Sequence, residues 1–118
     1  MTVESDLFAL LSPLAGARVY PDVAPAGAAR PYITYQQVGG ESLAYIEAAV
    51  PNAKNGRFQI NVWGTTRQAV AALALQVENT LLTAAAFQAR PLGGPTAVYE
   101  EDPPMYGTRQ DFSIWSTR

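Results

Sequence analysis

The sequence contains no cysteine and no histidine. Their absence excludes disulfides, thiolate nucleophiles, Ser-His triads and the side chains that most often bind zinc, haem and iron–sulfur clusters. Lysine occurs only once, at Lys54, beside the turn-forming pair Asn55-Gly56. A solvated turn is a poor place to activate a lysine nucleophile, so we expect no catalytic residues. The absence of cysteine and histidine also predicts no metal site and no cofactor.

Charge is also scarce, since charged residues make up 15% of the chain and the net charge is −2. The eight basic residues are scattered, so the sequence lacks the clustered positive field that binds nucleic-acid phosphates. No apolar run reaches the ~18 residues of a membrane span, and the acidic start MTVESDLFALL is unlike a signal peptide. These features predict a cytoplasmic protein whose weakly charged surface is partly covered by another subunit.

A strand at residues 57–64 followed by a helix that ends near Leu82 is the clearest unit of the sequence. Apolar and polar residues alternate in the strand, so one face should meet a core. The inward residues are Phe58, Ile60 and Val62, and the outward ones are Gln59, Asn61 and Trp63. At 118 residues the chain has the size of one domain, and we predict that residues 1–118 form it.

The helix of this unit carries one apolar stripe at spacings of three and four. Thr65 and Gln68 have the spacing of a capping box, which predicts where the helix begins. Leu75 and Leu82 lie off the stripe; they either widen the buried face, which we favour, or form a second contact surface. The stripe consists of Val70, Leu73, Ala74, Val77 and Leu81.

A first helix is predicted at residues 3–14, with its regular part ending near Leu11 because Pro13 weakens the last turn. Asn55-Gly56 is a strong hairpin dipeptide, which predicts a turn between an edge strand at residues 41–50 and the strand at 57–64. The first helix should bury Leu7, Phe8, Leu10, Leu11 and Leu14. Other strands are predicted at residues 18–20, 32–38, 86–91, 96–100 and 106–117, and a loop at 22–31. This order predicts an α+β fold, a mostly antiparallel mixed sheet of four to six strands with two helices packed on one face.

Glycine pairs and acidic residues are the only other local motifs. Gly39-Gly40 and the segment PLGGP lack the spacing of phosphate-binding loops, so both indicate turns. The run Glu100, Glu101 and Asp102 could offer oxygens to a cation, but no second acidic cluster is near it in sequence, and a solvated loop is the better interpretation.

Aromatic residues fall mostly on the outward faces of the predicted strands. Either they cover the far side of a thin sheet, or they meet a neighbouring subunit, because interface cores are rich in Trp and Tyr. Stacking on single-stranded nucleic acid would need interleaved basic residues, and only Arg109 offers one. The residues we predict at a subunit interface are Tyr32, Tyr45, Lys54, Trp63, Arg109 and Trp115.

Five segments, in this order and spacing, resemble the tail completion protein family of tailed bacteriophages and prophages. They are LFALLSPLAG, RVYPDVAP, PYITYQQVGG, FQINVWG and TTRQAVAALALQVENTL, and the resemblance extends over residues 7–117. The resemblance implies a structural virion protein without enzymatic activity. Such subunits form a ring, usually of about six copies, that caps the head-proximal end of the tail tube, ends tube growth and joins tail to head.

The resemblance also implies partners and a location. The partners would be other copies of the chain, the tail tube protein and the head–tail connector proteins, in the virion and, during assembly, in the host cytoplasm. Ring contacts are expected from residues 22–31 and 39–56 and from the Trp63 and Trp115 faces, and Glu100, Glu101 and Asp102 are candidates to line the lumen. The alternatives are another connector ring protein, such as a stopper or adaptor, and, more distantly, a small-ligand-binding or hydrolytic domain.

Overall fold

The computed structural model describes residues 2–42 and 52–118. These residues form two α-helices, one short 3-10 helix and six strands. The helices are α1 (Val3–Leu11), the 3-10 helix (Ser12–Leu14) and α2 (Arg67–Leu82). The strands are β1 (Val19–Pro21), β2 (Tyr32–Gln37), β3 (Ala53–Gly64), β4 (Gln88–Pro91), β5 (Thr96–Glu101) and β6 (Pro104–Thr117).

The strands form one sheet in the order β1-β2-β3-β6-β4, and β5 also pairs with β6. Only β1 and β2 run parallel; every other pairing among the described strands is antiparallel. Strand β3 lies along one side of β6 from Gly64–Tyr106 to Ala53–Thr117. On the other side of β6, β5 pairs with its first half and β4 with its second half. Strand β6 therefore pairs with three strands, and its two halves have different partners on one side.

The hydrophobic core lies between one face of this sheet and the helices. Leu7 and Leu11 of α1 are fully buried there, against the stripe of α2. Because side chains alternate across a strand, every second residue of β3 and β6 reaches this core. The sheet contributes Ile33, Phe58, Ile60, Val62, Phe112 and Ile114, and α2 contributes Val70, Leu73, Ala74, Val77 and Leu81. The predicted α+β fold and the predicted stripe of α2 are confirmed.

Two details of the helices differ from the prediction. Helix α2 begins one residue later than expected, because extended Thr66 is the N-cap and its hydroxyl accepts a hydrogen bond from the Ala69 amide at 3.1 Å. The expected widening of the buried face is wrong, since Leu75 and Leu82 are 56% and 49% exposed. Phe8 is also largely exposed, because α1 meets the core through the narrower stripe of Val3, Leu7 and Leu11.

The predicted turn at Asn55-Gly56 is wrong, because both residues lie within β3 opposite Trp115 and Ile114. The Asn55 side chain donates to the Ser113 hydroxyl at 2.9 Å and accepts from the Glu41 amide at 2.9 Å. A Cβ at Gly56 would lie 2.6 Å from Cε2 of Phe58, so glycine serves close packing there rather than a turn. Cross-strand pairing thus overrides the local turn preference of this dipeptide.

Candidate functional site

The outer face of the sheet is the first candidate surface, because no helix in the described part of the chain packs on it. The side chains of β3 that point outward are polar or aromatic, as the alternation predicts. Arg57 and Asp111 form an ion pair across this face at 2.7 Å, while Arg90 and Arg109 form none within residues 2–42 and 52–118. The outward residues include Gln36, Arg57, Gln59, Asn61, Trp63, Arg90, Arg109, Asp111, Ser113 and Trp115. The predicted outward positions of Trp63, Arg109 and Trp115 are confirmed.

Trp63 and Tyr32 lie at one end of the outer face, next to the base of β5. The Trp63 ring covers Gly107, where a Cβ would lie 2.5 Å from Cε3 of Trp63. Tyr32 is only 9% exposed, and its hydroxyl contacts Sδ of Met105 at 3.6 Å. Burial raises the pKa of the Tyr32 phenol above its ordinary value, and the nearby Arg30 guanidinium opposes this rise. Tyr32 therefore connects β2 to β6 within one subunit, in addition to any role that it has between subunits.

Strands β5 and β6 form a hairpin that no helix covers among the described residues. Glu100 and Glu101 end β5, Asp102 lies in the turn, and all three side chains are exposed and form no ion pair within the described residues. The Arg30 guanidinium approaches the tip through a hydrogen bond from its Nη1 to the Pro104 carbonyl oxygen at 2.7 Å. The three acids predicted from the sequence are therefore together at one end of the molecule.

The hairpin also carries an aromatic pair on the helix side. Tyr99 and Tyr106 have ring centroids 5.1 Å apart and are 52% and 37% exposed. The Arg67 guanidinium lies 5.3 Å from the Tyr106 centroid and donates to the Val98 and Gly107 carbonyl oxygens at 2.9 and 2.8 Å. Arg67 thus joins the start of α2 to the base of the hairpin.

Trp115 lies at the opposite end of β6, beside an open groove of about 500 Å³. The groove passes along β4, and its lining includes Leu82, Phe87, Ala89, Arg90, Ser113 and Trp115. Among the described residues that line the groove, Arg90 is the one that carries a charge. The groove therefore combines Trp115 and small or apolar side chains with polar groups and one cation, a mixed composition of the kind found at protein interfaces.

Two other predicted interface residues need comment. Lys54 does not lie at a loop tip as expected, because it is half-buried in β3 opposite Ser116. Tyr45 lies outside the described residues, as does the predicted edge strand at residues 41–50 apart from Glu41 and Ser42. The structure brings Trp63 and Arg109 together as diagonal neighbours on the outer face, since Trp63 pairs with Gly107 and Asn61 with Arg109. Lys54 lies at the other end of β3 and does not join them.

The exposed side of α2 is free of charge. Only Arg67 and Glu78 are charged in this helix, and both are engaged, Arg67 with the hairpin and Glu78 with the Gln110 amide at 3.2 Å. The exposed residues of the helix are Gln68, Ala69, Ala71, Ala72, Leu75, Gln76, Asn79 and Leu82. An uncharged exposed helix face of this kind is typical of surfaces that pack against another protein.

Within residues 2–42 and 52–118, no group of three or more acidic side chains lies close enough to hold a metal ion. None of the helices described here is both long and apolar enough to span a membrane.

Sequence reasoning missed Arg90, Tyr99 and the groove. Arg90 follows an apolar segment and precedes Pro91, so its position in a short edge strand was a weak signal. The groove joins α2, β4 and β6, and no local motif relates these elements. Tyr99 alternates with Val98 in a short strand, and its exposure depends on the absence of a helix above it.

Two comparisons with known proteins bear on the identity of the chain. No curated protein matched the chain. The family model of the tail completion protein gp17 matches residues 5–117, which is nearly the whole chain. The chain therefore belongs to the tail completion protein gp17 family, a family of bacteriophage tail structural proteins.

Proposed function

We propose that this protein is a ring subunit that caps the head-proximal end of a phage tail tube, ends tube growth and joins tail to head. The observation that carries the proposal is the match of residues 5–117 to the tail completion family. The proposed partners are other copies of the chain, the tail tube protein and the head–tail connector proteins. The proposed location is the virion tail, with assembly in the host cytoplasm.

The surface of the molecule supports assembly into a ring. The exposed side of α2 has no charged residue, so burying it against a partner carries no cost of charge desolvation. The outer face of the sheet adds half-buried Trp63 and Trp115, residue types that are enriched at the centres of interfaces. These surfaces and Arg109 are the proposed contact regions, and ring symmetry would repeat each contact around the axis.

The mechanism we propose is steric and cooperative rather than chemical. A subunit that binds the end of the tube presents its partner surfaces at high local concentration, so neighbouring subunits order there. Once the ring is closed, its tube-facing side occupies the site where the next tube ring would add. Its opposite side then offers the surface to which the head connector binds.

Deletion of the gene from its phage or prophage tests this function. We expect tubes of irregular and excessive length, without heads, in negative-stain images of the lysate, and normal tails when the gene is restored. Tails of normal length that lack heads would instead indicate a stopper or adaptor protein. Normal virions would contradict the proposal.

Light scattering coupled to size exclusion gives an independent test. A concentration series of the purified protein, with and without tube ends from the deletion lysate, should yield rings of about six copies in at least one of the two conditions. A protein that stays monomeric in solution and leaves tube ends bare would contradict the proposal.

A further inference from the structure

The β5–β6 hairpin has an exposed surface of the kind that contacts another molecule. Every residue of β5 except Val98 is exposed, and among the described strands β5 pairs with β6 alone. Beyond the last β3 pairing at Tyr106, the final pairs Glu100–Met105 and Glu101–Pro104 form a two-stranded ribbon. Such a ribbon is at most marginally stable by itself, so this tip gains order when a partner packs against it. The hairpin's exposed Tyr99 and Tyr106 supply the kind of aromatic surface that such contacts use.

The groove beside β4 has the complementary composition. Its lining combines Trp115 and apolar side chains with polar Gln88 and Ser113, and among the described residues its one charged lining residue is Arg90, which has no ion-pair partner there. The hairpin tip carries Glu100, Glu101 and Asp102, which form no ion pair in the same part of the chain. An arginine can bind a carboxylate through two parallel hydrogen bonds, so the two surfaces are complementary in charge and in hydrogen-bonding groups.

The hairpin of a molecule cannot reach its own groove. The tip begins at Pro104, at the start of β6, and the groove lies at Ser113 and Trp115, near the end of the same strand. At ~3.4 Å per residue, β6 separates them by roughly 35 Å. The complementary surfaces are therefore available only to different molecules, and a contact between them is head-to-tail, the type that generates rings when the rotation closes.

From this placement we infer that the acidic tip of the β5–β6 hairpin of one copy docks into the Arg90 groove of the next copy. The inference rests on the proposed ring function and names the two surfaces that would build the ring. In this contact Arg90 binds a tip carboxylate, and the Tyr99–Tyr106 pair packs against Trp115. The contact gives the acids a role between subunits, which differs from lining the lumen.

A charge-reversal experiment tests the pairing. Two full-length variants are prepared, Arg90→Glu in the groove and the double substitution Glu100→Lys with Glu101→Lys at the tip. Ring formation by each is measured as the lowest protein concentration that gives rings, in solution or on tube ends from the deletion lysate. Either variant alone places like charges together, so we expect the required concentration to rise at least ~10-fold.

The decisive measurement uses a mixture of the two variants. In an alternating ring each acidic groove meets a basic tip and each basic groove meets an acidic tip, so an equimolar mixture should recover to within ~3-fold of the unmodified protein. Two misfolded variants could not rescue each other. The conservative variant Arg90→Lys keeps the charge and serves as the matched control, which should assemble at close to the normal concentration.

The outcomes separate this inference from the proposed function. Rings from the unmodified protein, together with normal rings from both variants or no recovery in the mixture, would overturn the hairpin–groove contact and leave the ring function standing. No rings from the unmodified protein in either condition would contradict the ring function and this inference together. If the acids line the lumen instead, the tip variant will assemble normally and alter only DNA delivery.

Discussion

The helix-covered body of the sheet and the β5–β6 hairpin share strand β6 but differ in what covers them. In the body, Phe112 has no exposed surface and packs beneath the helices. In the hairpin, Tyr99 belongs to the same pleated sheet yet is 52% exposed. The difference teaches that one strand can serve two purposes, because burial of alternate side chains from Thr108 onward stabilises the fold, while exposed Pro104 and Tyr106 at its start leave a surface for partners.

Removal of a large side chain from the body should have the largest effect on stability. Phe112→Ala is expected to lower the free energy of unfolding by about 3–5 kcal/mol, because it removes a fully buried ring and leaves a cavity. Tyr99→Ala in the hairpin is the matched substitution and should cost about 1 kcal/mol or less. Urea unfolding measures both, and equal losses would contradict the distinction between body and hairpin.

The boundary between the two regions is tested at Gly107. A Cβ there would lie 2.5 Å from the Trp63 ring and 2.9 Å from the Val62 carbonyl oxygen, so Gly107→Ala must displace the tryptophan or the strand. We expect a loss of about 1–3 kcal/mol in urea unfolding and a change in tryptophan fluorescence. Gly94→Ala is the control, since a Cβ at Gly94 meets nothing within 4 Å. An unaffected Gly107→Ala protein would show that Trp63 does not pack as described.

The helix cover itself is tested at the start of α2. Thr66→Ala removes the hydroxyl that accepts from the Ala69 amide and should lower the free energy of unfolding by about 1 kcal/mol. Thr65→Ala, one residue earlier, should have almost no effect. Thermal unfolding distinguishes the two, and the opposite order would restore Thr65 as the cap.

The smallest change in global stability is expected at Arg67, the side chain that joins body and hairpin. Arg67→Gln removes hydrogen bonds to the Val98 and Gly107 carbonyl oxygens and the stacking on Tyr106. Hydrogen exchange of the hairpin amides should accelerate by about tenfold while exchange in the body stays unchanged. Arg109→Gln, which lies on the other face, is the control. Acceleration throughout the sheet would mean that body and hairpin open together.

The fold could be predicted from the sequence where local periodicity and burial agree. The stripe of α2 and the alternation of β3 each follow from the side chains alone, because one face of each element meets the core. The Asn55-Gly56 turn failed for the opposite reason, since the partner that holds Asn55 extended is Ser113, far away in the sequence. Local preference cannot reveal such a competitor.

The candidate site was less predictable than the fold. Outward positions such as Trp63 and Trp115 followed from alternation, but their neighbours depended on the order of strands. Arg90 became notable only when β4 was found at the edge beside Trp115, with no helix or strand outside it among the described residues. Surfaces of this kind are made by topology, so they are visible only once the chain is folded.

The length of β6 has a consequence for size control. In the assembly proposed above, the hairpin tip and the groove lie toward the two ends of one hydrogen-bonded strand, so the length of that strand would set the repeat distance between copies. Each pair of residues added to β6 and its partner strands would increase that distance by ~7 Å without altering either binding surface. The circumference of the assembly would then depend on the number of residue pairs in the sheet. Insertion of residues into these strands would change the circumference while both contact surfaces stay the same.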